Sequence, residues 1–383
     1  MIAPLLTLLS FVCLLLHFIQ VRGWSRGFKG ALVPTNGTSQ KRRSASPKIS
    51  VVLPVRNEAD TLPHLLNDLA HGAEKPCEVI IVDDASTDNT LQAIAARGHA
   101  SLDIRVMQNP GQGKKPGLSA GIKAAQHPWV IQVDADVRLG PDFVSSIARY
   151  LEEHGRGSDM ILLPLRLAKS ASGAPQELFD RLQALDFAAM QGWAVAAARR
   201  KRPAMASGGA WVWRASAFPH DGLRPELASG DDVFSLAALI ERGDGSRVGW
   251  CGHIAAMASA APMPTFQSLL NQRIRWGAKS KAYPKALSEA RQVAAIIAGV
   301  HFLGAALLIL EPQAAAVFWT AKAVIDMTYT HQVGRAYGLF DGVHAWRRWG
   351  TLALLAILHP FFIITTLLLM PVRKAPWKGR TAA

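Results

Sequence analysis

The sequence predicts an α/β protein: a largely parallel sheet flanked in sequence by apolar helices long enough to cross a membrane. Three observations carry this. β-type runs at Ile49–Pro54, Glu78–Asp84, Ile104–Gln108 and Trp129–Val133 alternate with helical stretches, the pattern of parallel strands joined by crossover helices. Residues Ile2 to Val21 are almost uninterruptedly apolar and of spanning length. Beyond Arg291 the chain turns apolar again over Val293–Leu310, Gln313–Thr330 and Thr351–Val372, which predicts one amino-terminal and about three carboxy-terminal spans. The expected organisation is an anchor at 1–22, a basic linker at 23–47, an α/β domain at 48–290, and a spanning region with a basic tail at 291–383.

Composition supports a membrane association. Half of the 383 residues are hydrophobic and only 18% charged, with a formal net charge of +14. Such a surface suits anionic lipid or a polyanionic substrate. Nucleic acid is set aside, because no binding motif is present and the basic residues cluster beside apolar segments. The three cysteines, Cys13, Cys77 and Cys251, form neither a disulfide framework nor a zinc pattern. The first apolar run carries its positive residues on the carboxy-terminal side, at Arg22, Arg26 and Lys29. A cleaved leader has the reverse order, so the segment reads as a retained anchor whose following residues are cytoplasmic. The expected location is therefore a multi-pass protein of the cell membrane with a cytoplasmic α/β domain. Asn36-Gly37-Thr38 fits a glycosylation sequon but would be inert there.

Each element of the soluble part has a local reason. Strand Ile49–Pro54 ends at a proline, and Arg56-Asn57-Glu58 opens a helix running through Leu69. After strand Glu78–Asp84, Ser86 to Thr90 caps the next helix. Gly111 to Gly117 is a glycine- and lysine-rich loop before a helix reaching Ala125. Gln176 to Ala198 repeats apolar residues at helical spacing and closes on Arg199-Arg200-Lys201-Arg202, a basic end that either complements the helix dipole or holds the helix against anionic headgroups. Ser207 to Ala210 leads into Trp211-Val212-Trp213, and a stretch near Val248 to Ala258 reads as a strand. Gly230-Asp231-Asp232 opens a helix, and Gln272 to Trp276 lies on another. Lys322 and Asp326 stand one turn apart inside an apolar helix, where they could pair.

Chemistry concentrates where Trp129–Val133 ends in Asp134-Ala135-Asp136. Ligands of open α/β sheets bind beyond the carboxyl ends of strands. Two close carboxylates repel unless a cation lies between them. Hard oxygen donors suit Mg²⁺ or Mn²⁺, which bind through one or two carboxylates plus substrate phosphates.

Five stretches in this order carry a resemblance: Pro54-Val55-Arg56-Asn57-Glu58, Val82-Asp83-Asp84-Ala85-Ser86-Thr87-Asp88, Asp134-Ala135-Asp136, Gly230-Asp231-Asp232, and Gln272-x-x-Arg275-Trp276. Together they resemble the family 2 glycosyltransferases, the last two matching its membrane-bound branch of cellulose, hyaluronan and poly-N-acetylglucosamine synthases and ceramide glucosyltransferases. The likeness runs from about Lys48 to Tyr283. It implies a GT-A, Rossmann-like nucleotide-binding fold, a nucleotide-sugar donor (a UDP-sugar favoured) and a divalent metal. It places Pro54, Glu58, Asp83, Asp84, Lys114 and Asp134 at the donor, with either of Asp83 and Asp84 on the base and Lys114, or Lys115 instead, on the diphosphate. Asp134 and Asp136 would hold the metal. Asp232 would be the general base and Asp231 would orient its loop, with Asp231, Gln272, Arg275 and Trp276 toward acceptor and diphosphate. A Trp face stacks on a sugar ring and a guanidinium holds phosphate. The chain departs from the family pattern at Ser119, where Asn is usual, and at Ala261, where an acidic residue commonly precedes the proline.

These residues lead to an inverting transfer of sugar to a lipid or lipid-linked acceptor. A processive polysaccharide synthase, a non-catalytic nucleotide-sugar-binding membrane scaffold and a nucleotidyltransferase are the alternatives.

Overall fold

A computed structural model describes residues 2–34, 46–96, 101–168, 177–224, 227, 229–243 and 245–373. The Asn36 sequon, most of the basic linker and the tail residues Lys374, Lys378 and Arg380 lie outside the described residues. By internal contact the chain forms two units, one of Gly30–Pro175 with Ala198–Pro262, the other of Met1–Lys29, Gln176–Ala197 and Met263–Ala383. The stretch expected as a continuous domain at 48–290 is thus shared between a sheet unit and a helical unit.

In the sheet unit, β1 (Ile49–Val55), β2 (Glu78–Asp83), β3 (Ile104–Gln108) and β4 (Trp129–Val133) alternate with α2 (Leu62–Ala70), α3 (Thr90–Ala96) and α4 (Lys114–Ala124). β5 (Val137–Leu139), α5 (Phe143–His154), β6 (Met160–Leu162) and β7 (Leu165–Leu167) follow. β8 (Ala210–Arg214), α7 (Asp231–Glu241), β9 (Val248–Trp250) and β10 (Ala258–Ala260) complete the unit. The main sheet has the order β3-β2-β1-β4-β8-β6-β9, and β5-β10-β7 make a small second sheet. β1 pairs in parallel with β2 and β4, whereas β8 runs antiparallel to β4 and β6. All of β2 and β4 is buried, as strands covered on both faces must be. The chain direction across the sheet reverses between β1 and β4, so a ligand crevice lies beyond their carboxyl ends. A core including Val52, Ile80, Leu118, Trp211, Trp213 and Leu236 supports that edge. α4 packs so closely that a Cβ on Gly121 would lie 2.5 Å from Val52 Cγ1.

Two expectations shift. α2 begins at Leu62 rather than near Arg56, because Asn57 takes φ +53°, which breaks a helix. The stretch near Val248 to Ala258 resolves into two three-residue strands in different sheets.

The helical unit comprises α1 (Ile2–Phe28), most of α6 (Leu178–Arg199), α8 (Phe266–Ala278), α9 (Ser288–Leu310), α10 (Pro312–Ala336) and α11 (Ala345–Leu369). Among the described residues, three helices are long and apolar enough to cross a membrane: Ala3–Phe28, Lys285–Leu310 and Ala345–Leu369. The expected third carboxy-terminal span, α10, has the length but carries Lys322, Asp326, His331 and Arg335 and falls outside that set. Its Lys322 is buried, with Nζ 2.6 Å from Asp326, and the same carboxylate meets His17 Nε2 of α1 at 2.7 Å. Leu8, Leu15, Ile309, Val317, Ile357 and Phe361 stay exposed, an outward apolar face suited to hydrocarbon.

Candidate active site

Three loops meet beyond the carboxyl ends of β1, β2 and β4. The first two are laced together. Asn57 N donates to Ser86 Oγ at 3.0 Å, Thr87 N to Asn57 Oδ1 at 2.8 Å, Glu58 N to Thr90 Oγ1 at 2.8 Å, and Ala59 N to Asp88 Oδ2 at 3.1 Å. Glu58 Oε2 accepts from Thr61 Oγ1 at 2.5 Å, and Pro54 is half-buried within β1. Asp83 and Asp84, both buried, close β2. Asp83 accepts the Ser86 amide at 3.3 Å. Asp84 Oδ1 accepts Asn109 Nδ2 at 2.8 Å and Gly113 N at 2.9 Å, with Arg56 Nη1 3.8 Å from its other oxygen. Asp84 thereby pins the glycine- and lysine-rich loop to the sheet edge.

Lys114 opens α4 and reaches the centre of the site. Its Nζ stands 2.7 Å from Asp134 Oδ1 and 2.8 Å from Asp231 Oδ2, and donates to Gly208 O at 3.5 Å. Burial disfavours the ammonium, but Asp134 and Asp231 outweigh it and raise its pKa above the ordinary lysine value. Burial pushes the Asp134 carboxyl up, the Lys114 ammonium opposes this, and the charges of Asp136 and Asp231 add to it, leaving the carboxyl above its usual range. Gln132 Nε2 also donates to Asp134 Oδ1 at 3.0 Å. Lys115, by contrast, is buried, donates to Arg224 O at 2.8 Å and lies 4.8 Å from the Phe234 ring centroid.

Gly208-Gly209 ties the remaining groups together. Asp134 N donates to Gly209 O at 3.0 Å, and the Asp232 carboxylate packs over Gly208, where an added Cβ would stand 3.2 Å from Oδ2. Asp232 Oδ1 also accepts its neighbour's amide, Val233 N, at 2.8 Å. Gly230, at φ +93°, makes the left-handed turn into α7 that sets both aspartates. Asp134 and Asp231 therefore meet at Lys114, Asp232 lies beside Gly208, and Asp136 is near enough to Asp134 for its charge to act there. Sequence reasoning gave Asp231 a lesser part than this geometry does, and missed Gln132 and Gly208. A glutamine inside a wholly buried strand was the available signal for Gln132.

Asp134, Asp136 and Asp231 bring three negative charges against the one ammonium. Among the described residues, no three His, Cys, Asp or Glu side chains converge on a metal position. An ion such as Mg²⁺ or Mn²⁺ is commonly held by one or two carboxylates and completed by phosphate and water. Asp136 is exposed at the mouth, and Asp134 keeps 36% of its side chain accessible, so both can reach an incoming ion.

Gln272, Arg275 and Trp276 lie on α8 of the helical unit, each half-buried. Within that unit Trp276 is not an open platform. The guanidinium of Arg273 lies 4.5 Å from its ring centroid, and the Phe187 ring is 6.4 Å away. Arg273 is itself buried. It donates to Asp186 Oδ2 at 2.6 Å and to Gln272 Oε1 at 3.2 Å, and His359 Nε2 meets Asp186 Oδ1 at 3.3 Å. Burial would raise the Asp186 carboxyl, but Arg273 and His359 hold it well below the usual range. The residue that anchors α8 is thus Arg273, between the motif positions.

Residues 50–189 match the profile of Glycosyl transferase family 2. The chain is 33% identical over 137 residues to the poly(ribitol-phosphate) β-N-acetylglucosaminyltransferase TarS of Staphylococcus aureus, covering 34% of this chain and 23% of that protein. It is 34% identical over 111 residues to the undecaprenyl-phosphate 4-deoxy-4-formamido-L-arabinose transferase of Serratia proteamaculans, covering 28% of this chain and 34% of that protein. The matched part is therefore well under two thirds of either relative. Among solved structures, the mannosyltransferase PcManGT of Pyrobaculum calidifontis, in complex with GDP-Man and Mn²⁺, aligns with TM-score 0.48 and 18% identity over 96% of this chain and 98% of that one.

Proposed function

We propose that the protein moves a sugar from a nucleoside diphosphate sugar, preferentially a uridine one, to a lipid or lipid-linked acceptor at the cytoplasmic face of the cell membrane. The observation that carries this reading is the Lys114 bridge between Asp134 and Asp231 at the carboxyl edge of the sheet. A buried ammonium flanked by carboxylates is what a diphosphate needs for its charge and a divalent ion needs for its ligands.

In this reading the Asp83-Asp84 turn receives the base, and Pro54 and Glu58 shape its rim. Lys114 swings from its carboxylates to the diphosphate. Asp134 and Asp136 would hold Mg²⁺ or Mn²⁺, which supplies Lewis-acid stabilisation of the departing diphosphate. Asp232 takes the proton from the acceptor hydroxyl as its oxygen bonds to the anomeric carbon. The bond from that carbon to the diphosphate oxygen breaks on the opposite face, which inverts the centre. Asp231 is engaged by Lys114 in the resting state, which leaves Asp232 as the base. Gln272, Arg275 and Trp276 serve the acceptor and diphosphate.

A lipid acceptor is favoured by the three apolar helices and by the undecaprenyl phosphate in the name of the Serratia relative. Positive residues after the first span argue for a cytoplasmic sheet unit and a multi-pass arrangement. The test screens radiolabelled nucleotide sugars against membrane lipid with Mg²⁺ or Mn²⁺. Organic-phase product is expected, and long polymer would instead favour a polysaccharide synthase. Asp232→Asn should keep UDP-sugar binding and lose turnover by about 10²–10⁴-fold. Unchanged turnover would remove Asp232 from the reaction.

A further inference from the structure

The helical unit contains a cleft that the transfer chemistry does not use. Arg181 and Leu185 of α6, Leu339, Phe340 and Val343 of the loop between α10 and α11, and Arg348 of α11 line it. Two guanidiniums thus share one apolar-walled recess. The Nε of each is buried without a hydrogen-bond partner. Among the described residues neither arginine forms an ion pair with a carboxylate; Arg348 is recorded only 5.8 Å from the Phe340 ring centroid. Both side chains are half-buried, and two like charges lining one apolar-walled recess favour an anion beside them. The planar fork of arginine matches phosphate oxygens in pairs.

The surroundings set the depth and sign of the site. Arg335 closes α10 and Arg347 adjoins Arg348, so the loop is basic. Asp341, its exposed carboxylate, folds back toward Gly338. Trp346 and Trp349 are 70% and 43% exposed at the start of spanning helix α11. Arg347 lies 5.0 Å from the Trp346 ring centroid, and His331 stacks on Trp349 at 4.8 Å. Exposed tryptophans with arginines at the end of a span mark the headgroup layer. Basic recesses between helices at that level accept lipid phosphate.

We infer that this cleft binds the phosphate of an anionic lipid, held between Arg181 and Arg348 with its hydrocarbon along Leu185, Leu339 and Val343. The site rests on the membrane reading and not on the donor chemistry of the sheet unit. The test uses the full chain in phosphatidylcholine nanodiscs doped with dioleoyl phosphatidic acid, followed by native mass spectrometry of retained lipid. Wild type should hold phosphatidic acid at least about tenfold more strongly than phosphatidylcholine. Arg181→Gln with Arg348→Gln should abolish that preference, and the paired Lys substitutions, which keep the charge, should restore part of it. Equal retention of the two lipids by wild type, or undiminished preference in the Gln pair with an unaltered melting profile, overturns the site. Displacement of the lipid by millimolar inorganic phosphate would assign the cleft to free phosphate and overturn it as well. UDP binding, measured alongside, should be the same in every variant. Its absence from wild type would defeat the transferase reading while leaving the lipid result intact.

Discussion

Replacing Lys114 with Gln tests the charge balance of the site directly. The ammonium lies 2.7 and 2.8 Å from two carboxylates, and the Lys114 and Asp231 side chains are only 15% and 8% accessible. At an effective dielectric near 20, each contact is worth roughly 6 kcal/mol before desolvation is subtracted. Removing one partner of a buried pair costs about 3–5 kcal/mol net. Asp134 keeps a third of its side chain in water, which screens its share, so about 3 kcal/mol is the expected loss. For a protein of this size that lowers the melting temperature by roughly 4 °C. The assay is thermal unfolding of the detergent-purified chain, with and without MnCl₂, alongside calorimetric titration with UDP. The variant should melt lower, regain part of the loss with Mn²⁺, and bind UDP at least about tenfold more weakly. A variant that melts and binds UDP like wild type would show that this ammonium neither balances the carboxylates nor meets the diphosphate.

Other outcomes follow from the same geometry. Gly208→Ala puts a Cβ 3.2 Å from Asp232 Oδ2, so turnover should fall while UDP affinity and melting stay near wild type; equal turnover would separate Asp232 from this wall. Gly121→Ala overpacks α4 against Val52 and should destabilise by about 1–3 kcal/mol in denaturant titration. Asp159, held by Arg247 at 2.7 Å and Arg214 at 3.2 Å, titrates below its ordinary value of 3.8, chiefly through the Arg247 hydrogen bond. A lowered folded pKa means that its stabilisation is present above pH 3.8 and is lost as the pH falls through the folded value. Asp159→Asn should therefore lower stability at neutral pH, and the gap from wild type should close in acid; a gap that persists unchanged would refute the assignment.

β1, β2 and β4 were legible because each is a run of mostly buried apolar residues punctuated by turn chemistry, and the partly exposed β3 because it follows in the same alternation with helices. β6 and β7 were not, and the split of the Val248 to Ala258 stretch into β9 and β10 was not, since three residues carry no period and only their sheet partners make them strands. The Asp134-Ala135-Asp136 stretch announced itself through composition. The contact of Asp231 with Lys114 could not be read, because both aspartates belong to the first turn of α7 and their spacing does not say which one meets the lysine. Likewise Arg273 and Arg275 look equivalent on paper. Arg273 takes the anchoring part because Asp186, from a helix 87 residues earlier, waits opposite it.

The route of α6 constrains how the chain can be made. Its sequence interrupts the sheet unit, yet Tyr329 of α10 donates to Ala189 O from 140 residues away, and Gly192 admits Tyr329 and Val333 at a spacing no larger residue allows. A ribosome releases α6 long before α10 exists. The nascent helix must therefore stay shielded through the synthesis of the intervening polypeptide. Trimming the protein to its sheet would strand α6 without α10, so a secretable catalytic fragment cannot be cut from this sequence without redesigning that helix.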